Sequence, residues 1–169
     1  MLSRRPKADG RAMSAWYAVI DTAQDERLYS LVRQCRTHSC LFSGELSPTL
    51  VAASPYLVAI EDGEPLLGIW RSHGSGRNWG IMCASSASID AVRKSLRRFL
   101  QAKLPDGMIA LFRFYDPRVF RTYLPAATSE ERAPWFETIG RYSLEGEGEV
   151  IHDFHLRGAQ LFDGETPVA

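Results

Sequence analysis

The chain has 169 residues, one domain's worth, and a folded monomer of that size buries about 70% of the surface its unfolded form exposes. Hydrophobic residues at 45% and charged residues at 24% exclude global disorder. Twenty Lys and Arg against twenty Asp and Glu leave a net charge of +0, which excludes a whole-protein electrostatic pull toward nucleic acid or an anionic membrane.

In chain order, residues 1–14 carry Arg4, Arg5, Lys7 and Arg11 with little that is apolar, and read as a flexible basic tail. No apolar segment of a secretory signal follows them. Trp16–Ile20 is a short apolar run that predicts a buried strand. Thr22 with Asp25 resembles a capping box, and Leu28, Leu31, Val32 and Cys35 recur as one helix face. Cys40–Phe42 predicts a brief strand. Ser47-Pro48 predicts an N-cap with proline at the first helical position, and Ser54-Pro55 stops that helix.

Tyr56–Ile60 predicts a third strand and Pro65–Trp70 another short helix. A polar loop from His73 to Asn78 leads to a strand over Trp79–Cys83. Ser88 caps the clearest helix, with Ile89, Val92, Leu96, Phe99 and Leu100 on one face. Pro105-Asp106-Gly107 is a turn, and Met108–Tyr115 predicts a strand. Asp116 then caps a helix that Pro117 enters, and Val119, Phe120, Tyr123 and Leu124 form its face. Thr128 with Glu131 is a capping box, and Pro134 ends that segment before Trp135-Phe136.

Gly140–Leu144 and Glu149–Leu156 predict an antiparallel hairpin, and 158–169 reads as a frayed tail. Strands alternating with helices predict one α/β domain over 15–157. Its sheet is expected to be mixed, with about five to seven strands flanked by helices and a C-terminal antiparallel hairpin.

Chemistry is sparse in the pattern. Cys35, Cys40 and Cys83 are an odd count and form no disulfide framework, so reduced thiols in a cytoplasmic protein are expected. Cys35, His38 and Cys40 lack a fourth ligand at a spacing that suits zinc, and His152 and His155 stand on opposite faces of a strand; no metal and no cofactor are expected. Gly74-Ser75-Gly76 matches neither a nucleophile elbow nor a dinucleotide fingerprint. Ser85 and Ser86 follow a strand, where a small α/β hydrolase could place a nucleophile, but they also suit the start of the next helix.

Arg93, Lys94, Arg97 and Arg98 give one helix a basic face. That face suits an acidic protein surface better than nucleic acid, because no aromatics are interleaved for stacking. Trp70, Arg71, Arg77 and Trp79 around the glycine loop are further candidate contacts for a protein partner, since Trp and Arg dominate interface hot spots. No run approaches roughly eighteen apolar residues, so no membrane span is expected.

Phe112-Arg113-Phe114-Tyr115-Asp116-Pro117-Arg118 is the most unusual segment. An arginine inside an apolar run needs a partner, and Asp21, at the end of another strand, is a suitable one. Asp21, Arg113, Asp116, Pro117 and Arg118 therefore read as a structural corner first and a site second.

With Trp135-Phe136, Tyr17–Asp21, Leu41–Gly44, Ser54–Leu57, Trp79-Gly80, Ser85-Ser86 and Leu96-Arg97, this segment resembles the adaptor chaperones of type VI secretion, the Tap or TEC proteins, a domain-of-unknown-function family. The resemblance runs in order over about residues 16–142. It implies a non-enzymatic cytoplasmic adaptor that binds an effector toxin and helps load it onto the VgrG spike. Many members are longer, with a second helical lobe, so this chain reads as a short one. A hydrolase using Ser85 or Ser86, or a nucleic-acid-binding domain using the basic helix, is the alternative.

Overall fold

A computed structural model describes residues 14–148 and 150–168. The basic segment expected to be a flexible tail lies, apart from Ser14, outside the described residues. The first half of the chain forms β1 (Ala15–Asp21), α1 (Glu26–Gln34), β2 (His38–Cys40), α2 (Pro48–Ala52), β3 (Pro55–Ala59), α3 (Pro65–Ile69), β4 (Gly80–Ser85) and α4 (Ile89–Arg97). The second half forms β5 (Gln101–Lys103), β6 (Ile109–Leu111), α5 (Pro117–Ala126), α6 (Ser129–Arg132), β7 (Arg141–Glu145), β8 (Ile151–Arg157), β9 (Gln160–Asp163) and β10 (Thr166–Pro167).

Capping chemistry sets most helix starts. Ser47, Ser88 and Asp116 each accept a backbone N–H of the first turn, and Thr128 with Glu131 forms the predicted capping box. The cap of α1 is Asp25, not Thr22; the Thr22 hydroxyl instead donates to the Ser54 carbonyl at 2.7 Å.

Eight strands form one sheet in the order β10-β9-β8-β7-β4-β1-β3-β2, and every neighbouring pair is antiparallel. The sheet is thus neither mixed nor limited to seven strands. The cause lies in its coverage. Tyr17 and Val19 face a core closed by Val92, Leu96, Phe120, Leu124 and Trp135, while Ala18 and Ile20 face a second core closed by Leu28, Leu31, Val32, Leu66 and Trp70. Strands buried on both faces become unbroken apolar runs, the pattern usual for parallel strands.

The expected frayed end is also corrected. Gln160–Asp163 and Thr166–Pro167 extend the sheet as β9 and β10, and Leu161 is fully buried. Gly158 and Gly164 adopt φ of 62° and 57°, the left-handed region that the two tight reversals require.

The expected strand over Met108–Tyr115 stops at Leu111. β5 and β6 form a separate two-stranded ribbon. Phe112 N still bonds Leu100 O at 2.8 Å, and then the chain turns, with Asp116 N on Arg113 O at 3.0 Å. The turn carries Phe114 and Tyr115 both into the interior, where alternation along a strand would have separated them.

Candidate functional site

The Phe112–Arg118 segment builds a polar corner over the aromatic core. Phe114 lies edge-on to Phe120 and Trp135, with ring centroids at 6.2 and 5.2 Å. Asp21, at the end of β1, is 2% exposed and accepts from Ala23 N at 3.2 Å, from Gln24 Nε2 at 2.9 Å and from the Arg113 guanidinium. Asp116 takes a different arginine. It accepts from Arg118 N and Nε at 3.0 Å and from Nη2 at 2.7 Å. Burial pushes the Asp116 carboxyl up, but the Arg118 hydrogen bonds outweigh it and hold it below its ordinary value.

The Arg113 guanidinium lies over the Tyr115 ring, 6.0 Å from its centroid; burial above all, together with the Asp21 charge, pushes the phenol up to about 12. Pro117 is buried and fixes the entry of α5. The corner therefore joins the end of β1 to the exit of β6 and the start of α5. Its two carboxylates are buried, while the Arg113 and Arg118 side chains are 42% and 54% exposed.

The basic helix is largely committed to its own chain. Arg93 Nε donates to Cys40 O at 2.7 Å, and the Arg97 guanidinium donates to the Ser43 hydroxyl. Arg98 pairs with Glu137 at 2.9 Å and lies over the Phe99 ring. Lys94 is exposed. Three of the four side chains expected to greet a partner thus tie α4 to the β2 loop and to the segment before β7.

Trp70 and Trp79 are each 2% exposed, so the structure removes both from any accessible surface. They pack around Gly74, where an added Cβ would lie 2.4 Å from one indole and 2.6 Å from the other. Arg71 is exposed, and Arg77 stands 3.9 Å from Asp25. Beside Trp70 a small crevice, lined also by Met82 and Ile151, reaches Glu145, whose carboxylate accepts from Gly76 N at 3.0 Å and holds the glycine loop down. Burial raises the Glu145 carboxyl.

The Ser85 hydroxyl donates to Thr138 O at 2.5 Å and accepts from Ala87 N at 3.0 Å, whereas Ser86 is exposed. Cys35 and Cys83 are buried, and burial pushes their thiols up to about 11 and about 12. His38 Nδ1 lies 2.9 Å from Cys35 O. Among the described residues no group of three or more His, Cys, Asp or Glu is placed to hold a metal ion.

The structure also exposes a feature that the sequence reading passed over. Met108, Ile109 and Leu111 on the β5–β6 ribbon are 61%, 68% and 51% exposed. The signal was present: a Pro-Asp-Gly turn flanked by two short runs is a hairpin pattern. Continuing Met108–Leu111 into Tyr115 as one buried strand concealed it.

The fold and these features define an α/β protein on an antiparallel sheet, with an exposed aliphatic ribbon and a corner of buried carboxylates held by half-exposed arginines. The chain belongs to the DUF4123 family: the family model described as a domain of unknown function, DUF4123, matches residues 16–134. No curated protein and no solved structure matches it. Among the described residues no helix is long and apolar enough to cross a membrane.

Proposed function

We propose that this protein is a non-enzymatic adaptor of type VI secretion, which binds an effector toxin and helps deliver it to the VgrG spike. The observation that carries the reading is the Phe112–Arg118 corner, which lies inside the family-matched span and holds the resemblance to the adaptor chaperones. An adaptor needs a stable body and exposed anchors. The doubly covered sheet supplies the first, and the exposed aliphatic ribbon, with Arg113 two residues beyond it, supports the second.

Tagged protein, co-expressed with the products of neighbouring toxin and spike genes, is expected to retain at least one of them through purification. Retention of neither, with the adaptor folded and both candidates soluble, counts against the reading.

A further inference from the structure

We propose that the outer edge of β6 docks an extended, acidic segment of a partner protein, which joins the β5–β6 ribbon as a further strand. This rests on the adaptor reading and adds the surface and the chemistry of what it receives.

The backbone makes the first argument. Phe112 N donates to Leu100 O and Leu104 N to Met108 O, each at 2.8 Å. Antiparallel pairs alternate between bonded and non-bonded, so the backbone groups of Ile109 and Leu111 turn away from β5. Among the described residues no third strand joins the ribbon. An open ladder of N–H and C=O groups is a template for an added strand, and a two-stranded ribbon gains stability from one.

The side chains make the second. Ile109 and Leu111, two residues apart, share one face and are exposed, as is Lys103, the cross-strand partner of Ile109. Apolar side chains of an incoming strand would cover the two aliphatics and remove both from water.

Charge selects the partner. Two cations stand at the ribbon: Lys103, across from Ile109, and Arg113, just beyond β6; its one acid is Asp106. Asp106 is engaged in its own turn, accepting from Met108 N at 2.9 Å. Lys103 has no carboxylate partner among the described residues, and Arg113, two residues beyond β6, gives Asp21 one N–H while its side chain stays 42% exposed. The complement is a strand with carboxylates flanking apolar residues. A second copy of this chain would bring like charges edge to edge. Nucleic acid would find aliphatic side chains where bases need rings to stack on.

The test uses the full chain and the products of the neighbouring toxin and spike genes. Wild type, Ile109→Ser/Leu111→Ser, Lys103→Glu and a control on α1, Gln34→Lys, are compared for capture, melting temperature and salt dependence. Both ribbon variants are expected to keep their melting temperatures and lose roughly tenfold or more in capture, with the control unaffected. Wild-type capture is expected to weaken with salt. In hydrogen exchange the amides of Ile109 and Leu111 are expected to become protected in the complex.

Capture by both ribbon variants equal to wild type overturns this surface and leaves the adaptor reading standing. Protection elsewhere that spares those two amides overturns strand addition. Wild-type dimers that the double variant abolishes give the edge to a second copy instead. Wild type that captures neither product removes this inference together with the adaptor reading.

Discussion

Replacing Arg113 by Met keeps most of the aliphatic stem and removes the guanidinium that faces Asp21. The carboxylate is 2% exposed, so it cannot recover the lost interaction from water. It keeps two donors, Ala23 N and Gln24 Nε2. Removing one partner of a fully buried ion pair costs about 3–5 kcal/mol, and a hydrogen bond to a charged group contributes about 1.5–3 kcal/mol. Here one partner is buried and the other is 42% exposed, which places the expected loss at about 2–3 kcal/mol. In a chain of this length that corresponds to a fall in melting temperature of about 4–12 °C.

The reverse substitution is predicted to cost less. Asp21→Asn leaves the charge on the exposed partner, where water solvates it, and about 1 kcal/mol is expected. Urea unfolding followed by circular dichroism gives both values by linear extrapolation. Arg113→Met within about 0.5 kcal/mol of wild type, or Asp21→Asn as the larger loss, would refute the reasoning. The first result combined with lost partner capture would mark the corner as a binding site and not a scaffold.

Gly80→Ala should be more damaging than Gly74→Ala, because its Cβ would lie 1.9 Å from the backbone oxygen of Val19 whereas that of Gly74 meets indole side chains; expression and melting temperature rank the two. Arg93→Ala should lose about 1–2 kcal/mol in the same urea assay, since its hydrogen bond to Cys40 O joins α4 to β2. Asp116 has a lowered pKa in the fold, so its contribution is complete above the unfolded value of about 3.9 and lost as pH falls through the lower folded value. The stability difference between wild type and Arg118→Gln should therefore be full at neutral pH and shrink in acid, as urea titrations at a series of pH values would reveal. Burial raises Tyr56 and Tyr115 to about 12, so the stability they supply is present below the unfolded phenol value of about 10 and is lost as pH rises through 12. The phenolate absorbance of these two rings, read as the loss on Tyr56→Phe and Tyr115→Phe, should accordingly appear together with unfolding, and their ionisation near pH 10 in folded protein would contradict this.

Local chemistry was readable from the chain. Ser47, Ser88, Asp116 and Thr128 cap helices where the sequence places them, because a side-chain acceptor beside an orphan N–H is a contact between near neighbours. The helix faces of α1 and α4 were readable as well, since a repeat near 3.6 residues states which side chains share a surface. The partner proposed for Arg113 came from charge alone: an arginine in an apolar run needs a carboxylate, and Asp21, 92 positions away, supplies it. Asp116 stands three residues from Arg113, and only geometry assigned it to Arg118.

What the chain could not state on its own was pairing and exposure. Strand direction is invisible when both faces of a sheet are covered, because parallel and antiparallel strands then share one composition; β1 reads the same either way. The basic stripe on α4 was legible as charge. Whether Arg93 and Arg97 meet solvent or the β2 loop depends on an element some fifty residues earlier. The apolar letters of Met108–Leu111 likewise say nothing of where they lie: the same residues that would make a buried strand stand in water, because tertiary packing ends the run at Leu111 and turns Phe114 and Tyr115 inward. Sequence determined which local elements could form and which charges needed partners, since those contacts span a few residues. Tertiary structure decided sheet direction, the corner's pairing and the open edge of β6, since each is set by which distant segments compete for the same surface.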